Sequence, residues 1–442
     1  MLTSVFAFLV AVGLLVFIHE LGHYLAARSV GVHVQRFSIG FGRPLITRRD
    51  KNGCDWVIAL VPLGGYVQMT ENEDSPKSFD RKPLWARAWV VVAGPFANFL
   101  FAVVAFACLA IIGRPEPIAV FDQPPSQSLA ERLGLQKGDQ LTRLDGVPIR
   151  SYSDFRWKMT QAYIGEGQSR YELELTTQGG TQRTMTLSFA ELQPLAQDAS
   201  IDDILSKAGI RPRSNGVVVT SVLAASPAEA AGLRPGDGFL SLQGRAITDP
   251  KDLQQLVAAS QGQPLELLIR REGSGQREAL IIRPQQAPDG TSYRLGVGIG
   301  PSLETQWIQY GPLQAIERGV QRTAELSVLS LQALGRMVTG DLSWRQMSGP
   351  VGIAGAAGQS AELGIIAFVS FLALISISIG VLNLLPIPML DGGHLMYYAF
   401  EFVRGQPLSA QAQQAGQRLG LVLIALLTSL ALVNDMSRLF GF

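Results

Sequence analysis

The chain of 442 residues is 47% hydrophobic and only 17% charged, with a mean hydropathy of +0.20 and a formal net charge of +1. That length admits two or three domains, and so near a balance of charge excludes a nucleic-acid protein, whose phosphate contacts require a basic excess. Cys54 and Cys108 are too few for a disulfide framework or a cysteine-based zinc site.

The first expected element is an apolar helix from about Leu2 to Leu25, long enough to cross a bilayer. A signal peptide is the competing reading, but no Lys or Arg precedes the run and no small-residue cleavage site ends it. No charged residue lies between Leu2 and Ile18; then His19-Glu20-Leu21-Gly22-His23 brings three ionisable side chains together. At 100° per residue, His19 and His23 stand about 40° apart and one turn along the axis. Both rings then reach one zinc ion, and Glu20 beside them can take a proton from water at the metal. Charged side chains at mid-bilayer cost about 2.5–3.5 kcal/mol each, so a compensating cation is expected. The alternative is that the three cap the helix at the headgroup level. Zinc also needs a third protein ligand from elsewhere in the chain.

The segment 28–87 follows. Val34–Gly42 alternates apolar and polar residues and ends in Gly40 and Gly42, and Asp55–Val67 is a second β-rich run closed by Gly64-Gly65. Both read as short hairpin strands beside the site. They either pack on the helices or offer an edge to an extended substrate backbone. An uncharged span is expected over 88–113. The Lys and Arg residues strung from Arg28 to Arg87 assign the intervening loop to the cytoplasm. His19 and His23 then lie near the cytoplasmic end of the first span.

From Pro115 to Pro301 the composition is that of a soluble domain, and it repeats. Gly134-Leu-Gln-Lys-Gly-Asp139 matches Gly232-Leu-Arg-Pro-Gly-Asp237, and the similarity runs on to Ile149 and Ile247. Short helical patterns precede each copy at Ser128–Leu133 and Pro227–Ala231, and helix candidates follow near Ser153–Gln161 and Asp249–Ser260. A period of about a hundred residues is a domain duplication rather than a solenoid. The pattern resembles bacterial PDZ domains, which bind extended peptides or chain ends along a strand–helix groove. Such a pair serves either to capture a chain end or as a size filter over the membrane. The expected divisions are 115–205 and 206–301.

Residues 302–360 are expected to be an amphipathic helical linker outside the membrane, with Gln309–Met337 lying along its surface or packed on the second repeat. Ser348–Ile353 reads as a tight turn. The third span, within 361–390, ends in Asn383-Leu-Leu-Pro386-Ile-Pro-Met-Leu-Asp391-Gly-Gly393. Pro386 and Pro388 break the helix. Asp391 is then at the same depth as His19 and His23, which makes it the natural third zinc ligand; His394 is its rival. Asn383 can donate to a substrate carbonyl or join helices. The loop 391–418 and a short fourth span, 419–436, complete the chain.

With these motifs assembled, the chain resembles the site-2 protease family of intramembrane zinc metalloproteases. The resemblance covers essentially the whole length. It implies a multi-pass α-helical membrane protein with four transmembrane helices, a small membrane-associated β-hairpin region and two tandem extracytoplasmic PDZ-like α+β domains. It implies Zn2+ held by His19, His23 and Asp391, with Glu20 as the catalytic base. Asn383, Pro386 and the Gly40–Gly42 region would help to place the substrate. It further implies a bacterial inner membrane, with the PDZ-like pair in the periplasm and the active site toward the cytoplasm. The implied partners are the lipid bilayer, single-span membrane proteins such as a pre-trimmed anti-sigma factor or leftover signal peptides, and an extracytoplasmic peptide or chain end. A membrane-anchored PDZ adaptor without activity is the principal rival. A transporter is disfavoured, because spans two and four carry no ionisable residue between Ala88 and Gly113 or between Leu419 and Val433.

Overall fold

The computed structural model describes residues 2–70, 77–164, 170–195, 201–223, 226–247, 249–286, 293–340, 342–344 and 347–440. The chain divides into two compact units, one of Met1–Arg114 with Gln309–Phe442 and the other of Pro115–Ile308.

In the first unit, helix α1 (Leu2–Ser29) leads into strands β1 (Val34–Arg49) and β2 (Asp55–Met69), then helix α2 (Leu84–Ile112). After the second unit come helices Pro312–Thr339, Pro350–Glu362, Ile365–Leu384, Asp391–Arg404 and Ala410–Phe440. Among the described residues, four helices are long and apolar enough to cross a membrane: Thr3–Ser29, Leu84–Ile112, Ile365–Leu384 and Gln411–Ser437. The last is longer than the sequence pattern indicated, because the polar stretch before Leu419 continues the same helix.

Apolar side chains such as Phe6, Leu9, Phe96, Leu100, Val422 and Leu426 face outward, as they would toward lipid. In lipid the hydrophobic effect gives little helix association, so close backbone approach carries more of the packing. Small residues provide it. A Cβ on Gly22 of α1 would overlap the carbonyl of Ala93 in α2, and one on Gly380 would press on the Phe99 ring. Ala11 and Leu15 of α1 and Leu372 of the third apolar helix form a buried core with Phe101.

The two strands fold back on themselves. Residues 36–39 of β1 pair on one side with Gly65–Gln68 and on the other with Asp55–Ile58, and the latter pair also with Ile46–Arg49. The order across the sheet is therefore 65–68, 36–39, 55–58, 46–49, which leaves 65–68 as one edge. Gly40 and Gly42, at φ +89° and +87°, make the bend. Phe37 stacks on Trp56 with ring centroids 4.4 Å apart, and with Tyr24 and Val90 they form the core that fixes the sheet to α1 and α2.

Two expectations for the linker are corrected. The Pro312–Thr339 helix does not lie apart as a surface strap; it packs lengthwise on α2, because Gly319 lets its backbone reach Val103 and Ala107. The Ser348–Ile353 segment is not an isolated turn but the start of the Pro350–Glu362 helix. The buried Asp435, near the end of the last helix, accepts from the backbone N–H groups of Gly349, Val351 and Gly352 at 2.9–3.0 Å. A carboxylate at a helix N-terminus satisfies donors that the helix itself cannot.

The second unit contains two copies of one plan. Each runs through a short helix (Leu129–Arg132 or Pro227–Ala230), a Gly-Asp turn, a strand (Gln140–Leu144 or Gly238–Leu242), a longer helix (Tyr152–Ile164 or Pro250–Ala259) and two antiparallel strands. Each turn has the same internal brace. Asp139 accepts from the N–H of Gln136 and pairs with Arg183; Asp237 accepts from the N–H of Arg234 and pairs with Arg271. The division expected between 205 and 206 is corrected. It cuts the amphipathic helix Ile201–Ala208, whose Ile204, Leu205 and Ala208 are buried in the first core together with Ile210.

Both cysteines are free thiols. Burial, followed by the charge of Asp50, pushes the Cys54 thiol up to about 11. In a Cys108→Ala protein, alkylation of Cys54 should be slow at pH 8 and accelerate as the pH approaches that value, since the thiolate is the nucleophile. Rapid labelling of the folded protein at pH 8 would contradict this placement.

Candidate metal centre

The end of α1 turns His19 and His23 toward the start of the Asp391–Arg404 helix. His19 Nε2 lies 3.2 Å from His23 Nε2 and 3.2 Å from Asp391 Oδ2, and His23 Nε2 lies 3.5 Å from the same carboxylate oxygen. These three are the metal-ligand cluster found among the described residues. A tetrahedral zinc site with bonds of about 2.0–2.1 Å has ligand–ligand edges of about 3.3–3.4 Å. The observed triangle has that size. Asp391 Oδ2 is buried with no hydrogen-bond donor satisfying it, as a metal-facing oxygen would be. The donor set of two imidazoles and one carboxylate also suits zinc.

The members of the cluster are held from behind. His23 Nδ1 donates to the Val90 carbonyl at 2.8 Å, which leaves Nε2 to face the cluster. Gly94, one turn further along α2, makes room for this imidazole: a Cβ there would overlap the ring. Asp391 stands in the first turn of its helix, two residues after Met389, whose φ is +84°. Gly392 and Gly393 must be glycines for that turn, because a Cβ on either would collide with backbone at Leu384–Leu385 or Ile387–Pro388. The far end of the same helix is anchored by Glu401, which takes two hydrogen bonds from Arg87, at 2.5 and 3.3 Å. Arg87 also lies over the Tyr398 ring.

Glu20 is buried beside the cluster, with Gly65 of β2 against it: a Cβ on Gly65 would stand 3.0 Å from Glu20 Cγ. Ile39, which pairs with Gly65, precedes Gly40, so the Gly40–Gly42 bend is near the sheet's contact with Glu20 but is not part of the ligand cluster. Asn383 Nδ2 comes within 3.4 Å of His19 Nε2. Pro386 is exposed in the loop between the two helices, and His394 is exposed and outside the cluster.

Comparison with known proteins gives this arrangement its family. The family model described as peptidase family M50 matches residues 7–427. The chain belongs to peptidase family M50. It is 37% identical to the regulator of sigma-E protease RseP of Escherichia coli, over 98% of both chains. It is 38% identical to protease RseP of Yersinia pestis over 99% of both, and 38% identical, again over 99% of both, to a protein of Ralstonia nicotianae provisionally named a zinc metalloprotease. The protein is a zinc metalloendopeptidase of the site-2 protease type.

One polar residue of the protease's site was not anticipated. Asn98 of α2 is fully buried, and its side-chain nitrogen lies 3.2 Å from His19 Nδ1. It is the one side-chain amide in the Ala88–Gly113 stretch, and a lone amide in an apolar span is the signal that marks such a position. In the sequence Arg87 is one positive charge of the 28–87 loop; in the structure it steadies the helix that carries Asp391.

The packing at Gly94 can be tested without turnover. Gly94→Ala should weaken zinc binding by ~10-fold or more, the scale on which disturbed ligand orientation acts. Gly13→Ala, with nothing within 4 Å of the added methyl, should leave it unchanged. Equal affinities in a chelator competition would contradict the role of Gly94.

Proposed function

We propose that the protease hydrolyses a peptide bond within the transmembrane segment of single-span membrane proteins. The observation that carries this reading is the ligand cluster at the end of a helix long and apolar enough to cross a bilayer. His19, His23 and Asp391 would hold the zinc, which supplies Lewis acidity to polarise the scissile carbonyl. Glu20 takes a proton from the attacking water and returns it to the departing amide nitrogen. Asn383, beside His19, donates to the substrate carbonyl as negative charge develops there.

A helix must unwind before its peptide bond can be attacked. The edge 65–68 of the sheet offers backbone partners for such an extended segment, and its contact with Glu20 through Gly65 supports this use. Gly40, Gly42 and Pro386 shape the approach. The positive charge between Arg28 and Arg87 supports a cytoplasmic position for the catalytic end.

The two copies within Pro115–Ile308 are read as tandem PDZ-like domains on the periplasmic side of a bacterial inner membrane. They would admit substrates whose outer domain has been shortened, or bind the chain end so produced. The names of the sigma-E regulators support an anti-sigma factor as a substrate in an envelope stress response; remnant signal peptides are a second class.

Glu20→Gln should retain zinc and lose cleavage of a single-span substrate by about 10²–10⁴-fold, the range of a positioned general base. Loss of zinc together with activity would contradict its assignment. Strands Arg114–Pro117 and Thr305–Ile308 pair with each other, so residues 118–304 can be replaced by a short turn. That variant should cleave untrimmed substrate; continued rejection of it would remove the filter.

A further inference from the structure

Asn98 has 0% exposure in the middle of α2, and its Oδ1 has no hydrogen-bond partner among the described residues. Its backbone carbonyl accepts from Ser376 Oγ at 2.9 Å, so packing against the third apolar helix fixes where its side chain starts. The side-chain nitrogen lies 3.2 Å from His19 Nδ1.

This pairing conflicts with the geometry of the cluster. His19 turns Nε2 toward His23 and Asp391. An imidazole that binds a metal through Nε2 carries its proton on Nδ1, and that N–H requires an acceptor. An amide nitrogen cannot accept, whereas an amide oxygen can. The two amide ends are almost the same size, and a half-turn about the Cβ–Cγ bond exchanges them. The half-turn gives Oδ1 the partner it lacks and gives the His19 N–H the acceptor it needs.

We propose that Asn98 is a positioning residue for the metal centre: its Oδ1 accepts from His19 Nδ1–H and so fixes the tautomer and ring orientation of this ligand. It does for His19 what the Val90 carbonyl does for His23. One helix, α2, then supplies both acceptors behind the imidazoles. The proposal rests on the reading of His19 as a zinc ligand, and its test separates the two.

Zinc affinity of the full-length protein is measured by chelator competition for wild type, His19→Ala, Asn98→Leu and Asn98→Asp. His19→Ala tests the ligand itself; if it binds zinc as wild type does, the metal-site reading fails and the role of Asn98 falls with it. With the ligand established, Asn98→Leu should bind zinc about 10–100-fold more weakly, while Asn98→Asp, which keeps an acceptor, binds at least as tightly as wild type. Wild-type affinity in Asn98→Leu, or equal losses in both Asn98 variants, would overturn the proposal in favour of a packing role. A variant that fails to fold does not leave the matter open. In zinc-loaded wild type, 15N spectra of labelled histidines should show His19 protonated on Nδ1, and protonation on Nε2 would overturn the proposal.

Discussion

Three electron-rich atoms, two imidazole nitrogens and a carboxylate oxygen, meet within 3.5 Å of one another where lipid-facing helices converge. At that spacing their lone pairs repel unless positive charge stands among them, and water to soften the repulsion is scarce. A divalent cation resolves the conflict, and the surrounding fold reads as the means of holding the three atoms in place. Gly22 brings α1 against α2, Gly94 admits the His23 ring, and Gly392 and Gly393 let the start of the helix that carries Asp391 press against the backbone of residues 384–388. Each removes a side chain from a position where one would push a ligand away.

How much of this was legible in the sequence follows from how local each feature is. His19 and His23 are fixed by helical spacing, which any four-residue separation reveals. Asp391 needed a longer argument, from the direction of the third span and the break at Pro386 and Pro388. The rivalry of His394 is not resolved by the sequence alone, because immediately after a double glycine the chain direction is undetermined. Asn98 was silent for a different reason. Its meaning depends on how α1 crosses α2, and that crossing is set by contacts between residues about seventy positions apart.

The linker shows the same limit. An amphipathic pattern over Gln309–Met337 specifies a helix with two unlike faces but not what covers the apolar one. Gly319 decides it by admitting the backbone of α2. In the Pro115–Ile308 unit the repeat was visible because Gly-Asp turns recur, and Asp139–Arg183 and Asp237–Arg271 explain why the Asp is part of the pattern. The boundary between the copies was not visible, since the helix Ile201–Ala208 falls where the repeated pattern ends, and only its buried face assigns it to the first core.

Two histidines and one distant aspartate are proposed to hold a single zinc. X-ray absorption at the zinc edge tests this most directly, on wild type and on Asp391→Ala. The expected wild-type shell is nitrogen and oxygen at about 2.0–2.1 Å with two imidazoles and no sulfur, with loss of one light ligand or of the metal in the variant. A third imidazole, a sulfur ligand, or an unchanged shell in Asp391→Ala would contradict it.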